Sequence, residues 1–441
     1  MTTTIPFTRR LGGLLAALVA VGPAFFDPGA RAEGNQFDDT VLVANRPEFH
    51  PSAFVDPHLV NPWGIALRPP GKGGHIWVSN ARNASTSTYV GDVNGIPLHQ
   101  DGLKLVSIDG PLISYEDGLP NVTGQVYNAA SDIPGQPIEF PISGPATNLA
   151  GEAAVPFGTS SGPAKFVFVT TDGTINAWRS STAESMDSAI IVRDFSEQGA
   201  QRMHDQRFLP AYTGVAMTTD AFTRNEAGEP VADNRLYVTD FQNKRIQVFD
   251  NQWREITARV TFARPAGMPE EFSPYNVQVV GGKLYVVYAV VNLGADEPAF
   301  DDPGEGHGHV AVYDRDGHLL QELKDEGWLN SPWGIALAPE EGFGSMGGKL
   351  LIANFGDGTV AVFDPESGEP IDYLRGRDDQ ALKIDGIWGL AFGNGVSLGD
   401  AHALYYTAGP NAEQDGIFGR LRAAGQTTAT NPNIRSPSVV P

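Results

Sequence analysis

The sequence predicts an all-β fold, a six-bladed β-propeller whose ring is closed by a strand from near the N-terminus. Three observations predict it. A strand motif recurs along the chain, the composition is rich in turns and aromatic residues, and an apolar strand precedes the first full repeat.

The repeat is clearest in two copies. Asn61-Pro62-Trp63-Gly64-Ile65-Ala66-Leu67 leads to Ile76-Trp77-Val78-Ser79-Asn80. Ser331-Pro332-Trp333-Gly334-Ile335-Ala336-Leu337 leads to Leu351-Ile352-Ala353-Asn354 and then Thr359-Val360-Ala361-Val362-Phe363-Asp364. Weaker copies begin at Tyr212-Thr213-Gly214, Ser273-Pro274-Tyr275-Asn276 and Ile387-Trp388-Gly389. The most degraded joins Ala146-Thr147-Asn148 to Phe166-Val167-Phe168-Val169-Thr170. Six copies of short alternating strands, punctuated by Gly, Asp and Asn turns, describe blades that must stack around an axis to bury both faces.

Each repeat has about 68 residues against the ~40–45 of a compact blade, so loops take up the excess. The largest excess is expected between Val93 and Pro145. The segment Thr40-Val41-Leu42-Val43-Ala44 has the character of a strand that completes the sixth blade and covers its open edge.

Composition agrees. The 441 residues include 51 Gly and 33 Pro, with 41% hydrophobic and 10% aromatic side chains, enough for a large core. Carboxylates outnumber Lys and Arg by 52 to 30, for a net charge of −22. Such a chain lacks the basic face that nucleic acid requires, and an anionic membrane surface would repel it. The absence of Cys excludes disulfides, thiolate metal sites and Cys nucleophiles.

Residues 1–32 read as a signal peptide. Arg9 and Arg10 precede the apolar run Leu11 to Phe26, and Ala30-Arg31-Ala32 fits a small-x-small cleavage site. Thr8-Arg9-Arg10-Leu11 partly matches a twin-arginine signal. The expected organisation is a propeller over 33–422 and a flexible tail over 423–441, in a monomer that is periplasmic or extracellular and not inserted in a membrane after cleavage.

Several stretches carry a resemblance: Asn61-Pro-Trp-Gly-Ile-Ala, Trp77-Val-Ser-Asn, Asp240-Phe-Gln-Asn-Lys-Arg-Ile-Gln-Val-Phe-Asp250, Asn354-Phe-Gly-Asp-Gly-Thr359, Ile384-Asp-Gly-Ile-Trp-Gly-Leu-Ala-Phe-Gly-Asn394 and Ala408-Gly-Pro-Asn411. The chain resembles an uncharacterised family of secreted bacterial propeller-like proteins, some carrying a PEP-CTERM sorting tail that is missing here. More distantly it is similar to NHL-repeat and lactonase-like propellers. The resemblance implies a fold and an export route but no activity.

Chemistry in a propeller is expected at one mouth of the channel. Aligning the repeats places Trp63, Thr147, Thr213, Tyr275, Trp333 and Trp388 around that mouth, with Asn276 beside them. In lactonase-like propellers the corresponding positions supply Asn or carboxylate ligands to a metal, whereas here they are mostly aromatic. The rings would either stack on a small molecule, carbohydrate or peptide, or wedge adjacent blades together. Asn61, Asn330 and Asp385 would orient a ligand or satisfy turns.

A second candidate is the loop with Asp301, Asp302, Glu305, His307 and His309. Two imidazoles and three carboxylates suit Zn²⁺, and the carboxylates alone suit Ca²⁺; the alternative is a solvated acidic loop. The function this supports is an exported ligand-binding or scaffolding module, with a metal-assisted hydrolase or lyase as the alternative. His204-Asp205 has no visible nucleophile beside it, and no serine-hydrolase elbow, P-loop or His-Glu-x-x-His motif is present.

Overall fold

The computed structural model describes residues 34–110, 121–133, 138–148, 155–196, 209–224, 227–228, 230–292 and 301–425. The signal-peptide reading and nearly all of the expected tail lie outside these residues. Among the described residues no helix is long and apolar enough to cross a membrane.

The protein is a β-propeller. Its innermost strands are Pro62–Ala66, Val122–Tyr127, Tyr212–Met217, Phe272–Val280, Pro332–Leu337 and Ile387–Phe392. Each packs against the next, and the last packs against the first. Behind every inner strand the sheet continues outward in antiparallel order, as in Pro332–Leu337, Leu350–Asn354, Val360–Phe363 and Pro370–Tyr373.

The ring closes as the early strand predicts. Phe37–Ala44 pairs antiparallel with Ile417–Ala423, from Phe37 opposite Ala423 to Ala44 opposite Ile417. The Tyr406 hydroxyl donates to Asp39 at 2.6 Å and ties the same strand down. This closure leaves the last sheet with no bare edge beside Ile417–Ala423.

Close packing of the inner strands explains the recurring glycine. A β-carbon on Gly64 would lie 2.9 Å from the Thr123 carbonyl oxygen, and one on Gly124 2.8 Å from the Val215 nitrogen. Gly214, Gly334 and Gly389 meet the neighbouring inner strand in the same way. The fourth unit has Asn276 instead, whose side-chain amide donates to the Trp333 carbonyl at 2.9 Å. Asn276 therefore joins two units.

The sequence alignment of the second repeat is corrected by the structure. Its inner strand is Val122–Tyr127, so Thr123, not Thr147, occupies the ring position. Thr147 lies on the strand Pro141–Asn148, which forms a hairpin with Val155–Pro163 and pairs with Glu184–Met186. That hairpin is inserted between the inner strand and its partner Phe166–Thr170. The region expected to be loop thus holds the outer strand Leu105–Ile108 and this inner strand as well. The first two units also share an edge, because Leu105–Ile108 pairs in parallel with Ser188–Asp194.

Candidate functional site

The residues predicted to ring the channel do converge, but on each other. Trp63 stacks on Trp388 with ring centroids 3.6 Å apart and an interplanar angle of 18°. Phe355 covers the other face of Trp388 at 3.9 Å. Trp333 meets Trp63 edge-on at 5.7 Å, and Tyr275 meets Trp63 at 6.2 Å. Phe241 lies against Tyr275 at 4.6 Å. All but the half-buried Phe355 are buried, Trp388 completely. The arrangement is a plug across the axis, not an open collar with free ring faces.

Polar bonds fix the plug to the strands. The Trp333 indole donates to the Thr213 carbonyl at 3.0 Å, and the Trp388 indole donates to Asn61 Oδ1 at 3.1 Å. The Thr213 hydroxyl donates to the Tyr275 carbonyl at 2.6 Å, and Thr123 does the same to Tyr212 at 2.8 Å. Thr213 is thus a link between units. On one side of the plug the channel remains open as a cavity of about 540 Å³, lined by Trp333 and Asn276 together with glycines and mostly apolar residues of the inner strands.

At the mouth where the inner strands begin, charged groups gather against the plug from distant parts of the chain. Asp301 Oδ1 accepts from the Tyr275 hydroxyl at 2.9 Å. The neighbouring Trp63 indole N–H is buried without a hydrogen-bond partner. Burial pushes the Asp301 carboxyl above its usual range, against the Ser331 and Tyr275 hydroxyls that hold it down. Burial raises the Tyr275 phenol too, and the negative charges of Asp301 and Glu413 raise it further.

Glu413 approaches this mouth from the turn after Leu404–Ala408. Burial raises its carboxyl and Asp301 adds to the rise, while Arg82 and a hydrogen bond from Asn61 oppose it. Arg82, on the turn after Ile76–Asn80, donates through Nε to the Glu413 carbonyl at 3.1 Å and places Nη2 3.8 Å from its carboxylate. Asp385 Oδ2 accepts from the Asn411 nitrogen at 3.1 Å. Asn411, Ala412 and Glu413 all have positive φ, of 58°, 51° and 63°. Three successive left-handed non-glycine residues are costly, and such strain collects where a side chain must be held in one place. Asn61 and Ser331, both with φ of 46°, turn the chain into the two Pro-Trp-Gly strands.

The second sequence candidate does not assemble. Asp301 belongs to the mouth, while the His307 ring contacts the Asp302 carbonyl at 2.6 Å. His309 turns to Asp325, with Nδ1 2.9 Å from its carboxylate, and faces Glu322 at 3.6 Å. Glu305 is exposed. The expected His-x-His alignment fails because His307 precedes the strand Gly308–Tyr313 and is not part of its alternation. Among the described residues no group of three or more His, Asp or Glu side chains is placed to hold a metal ion.

Sequence reasoning singled out Asp301 for the wrong partners and missed Arg82 and Glu413. Their signal was positional. Arg82 lies two residues beyond its unit's second strand, and Glu413 lies on the equivalent turn of the last unit.

No protein-family model matches the chain. Two uncharacterised proteins of Acanthamoeba polyphaga mimivirus are similar to it. One is 27% identical over 86% of this chain and 78% of its own length, the other 26% identical over 86% and 84%. A Penicillium chrysogenum α-L-arabinanase structure aligns with 87% of this chain and 97% of its own at TM-score 0.40 and 11% identity. A Fusarium graminearum α-L-arabinofuranosidase aligns with 88% and 98% at TM-score 0.41 and 10% identity. Scores this low carry no argument about activity. The mimivirus relatives correct the resemblance drawn from sequence: the curated proteins that this chain matches are viral, not a secreted bacterial family associated with PEP-CTERM sorting.

Proposed function

We propose that the chain is an exported β-propeller that binds a small polar ligand, a carbohydrate or a peptide amine, at the mouth formed by Asp301, Glu413, Tyr275, Asn61 and Arg82. One observation carries this reading. Two carboxyls raised by burial, Asp301 and Glu413, share a site with a donor, the Trp63 indole N–H, that is buried without a partner. Buried polar groups are normally satisfied, and a ligand with both hydroxyl donors and acceptors would satisfy these. The sealed aromatic plug supports recognition by polar groups rather than by stacking on free ring faces.

A hydrolase or lyase reading draws on the same carboxyls. A carboxyl held up by burial keeps its proton nearer neutral pH and suits general-acid work. Thermal unfolding of the mature chain with neutral mono- and disaccharides and with dipeptide amides tests the binding reading. At least one member should raise the Tm of the wild type and leave the Asp301→Asn/Glu413→Gln double variant unmoved. No shift with any member, or equal shifts in both proteins, contradicts it.

A further inference from the structure

A cleft of about 640 Å³ opens between the first and second units. Its apolar wall is Trp77 stacked on Phe166 at 4.0 Å, with Trp178 4.8 Å from Trp77 and Tyr127 5.0 Å from Phe166. Its polar side carries the cations Arg68, Lys165 and Arg179. In so acidic a chain, three cations around one cleft call for a count of their partners.

Two are accounted for. Arg68 and Lys165 both pair with Asp132, Lys165 at 2.9 Å. Arg179 is different. Only 9% of it is exposed, and its Nη1 donates to the Ser160 hydroxyl, yet its Nε is buried with no partner. Glu184 acts on it only through space, and burial pushes the guanidinium below its ordinary value. The Ser131 hydroxyl lines the same cleft.

The seat of the guanidinium is built. Arg179 lies over the bare backbone of Gly162, where a β-carbon would come 2.8 Å from Nη2. Gly162 and Ser160 both come from the hairpin inserted into the second unit. A buried guanidinium without a carboxylate is expensive unless an anion is supplied to it. A planar fork beside an aromatic wall fits an oxyanion attached to a flat apolar body.

We propose that this cleft is an anion-binding site, separate from the axial mouth, for a small ligand that sets a carboxylate or phosphate on Arg179 and Ser131 and an apolar ring against the aromatic wall. Benzoate and phenyl phosphate are the probes, benzyl alcohol is the neutral control, and each is titrated into the mature protein by calorimetry. One or both anions should bind, benzyl alcohol should not, and Arg179→Gln should weaken binding by about tenfold or more. The anion that binds more tightly identifies the carboxylate or phosphate source.

Arg254→Gln, at an exposed arginine paired with Asp250, should leave binding unchanged. If Arg179→Gln does not fold, Ser131→Ala should weaken the anions selectively, and added chloride should weaken them in the wild type. Failure of both anions to bind, equal binding of benzyl alcohol, or undiminished affinity in these variants overturns the proposal.

Discussion

The indole of Trp63 lies flat on the indole of Trp388, 3.6 Å away, although one belongs to the first unit of the ring and the other to the last. The contact joins the two ends of the fold at the axis, as the pairing of Phe37–Ala44 with Ile417–Ala423 joins them at the rim. It also uses up one face of each ring. Phe355 takes the second face of Trp388, so the axis is sealed by aromatic packing.

Replacing Trp388 with Ala should therefore damage stability before anything else. Truncating a fully buried aromatic typically costs about 3–5 kcal/mol. A clear fall in the denaturation midpoint is expected, and a Trp388→Ala protein as stable as the wild type would show that the plug does not hold the ring together.

Glycine at the recurring ring position is demanded by neighbouring backbone. Gly124→Ala puts a β-carbon 2.8 Å from the Val215 nitrogen, and overpacking of this kind costs about 1–3 kcal/mol or more. Gly102→Ala meets nothing within 4 Å and should be close to neutral. Urea unfolding of the two variants should separate them by that margin.

Asp172 carries a pH signature. Burial and the charge of Asp194 raise its carboxyl from 3.8 to about 7. Because the folded value lies above the unfolded one, the folded state binds the extra proton. Its contribution to stability is complete below about pH 4 and is lost as the pH rises through about 7. At pH 8 the Asp172→Asn variant should be more stable than the wild type by up to about 4 kcal/mol. The gap should close near pH 4. A variant less stable than the wild type at pH 8 would contradict this.

Removing residues 1–45 takes away the closing strand and bares the edge of Ile417–Ala423. Exposed edges recruit other strands. That truncated chain should aggregate or form strand-exchanged oligomers on size exclusion, whereas removal of residues 1–33 should leave the folded ring as it is.

The ring was legible in the sequence wherever a unit kept its inner and second strands close together. Pro62–Ala66 and Pro332–Leu337 show this, with the same Pro-Trp-Gly core followed at short range by its partner strand. The second unit escaped because an inserted hairpin separates Val122–Tyr127 from Phe166–Thr170, and because Val122-Thr123-Gly124 has no Pro-Trp signature. Which aromatics reach the axis could be read from the repeat, but the direction of their faces could not. Ring orientation depends on contacts between units far apart in the chain. The acidic mouth was harder still, since Arg82 and Glu413 sit on turn tips outside any repeated motif.

The central claim is that the mouth recognises its ligand through polar groups, with the Trp63 indole N–H at its base. It is tested most directly by tryptophan fluorescence during titration with the saccharide or dipeptide amide that gives the largest thermal shift. The wild type should show a saturable change that Asp301→Asn and Glu413→Gln each weaken by about tenfold or more, the scale of one lost charged hydrogen bond. A saturable change of equal affinity in all three proteins would place the ligand elsewhere and contradict the account.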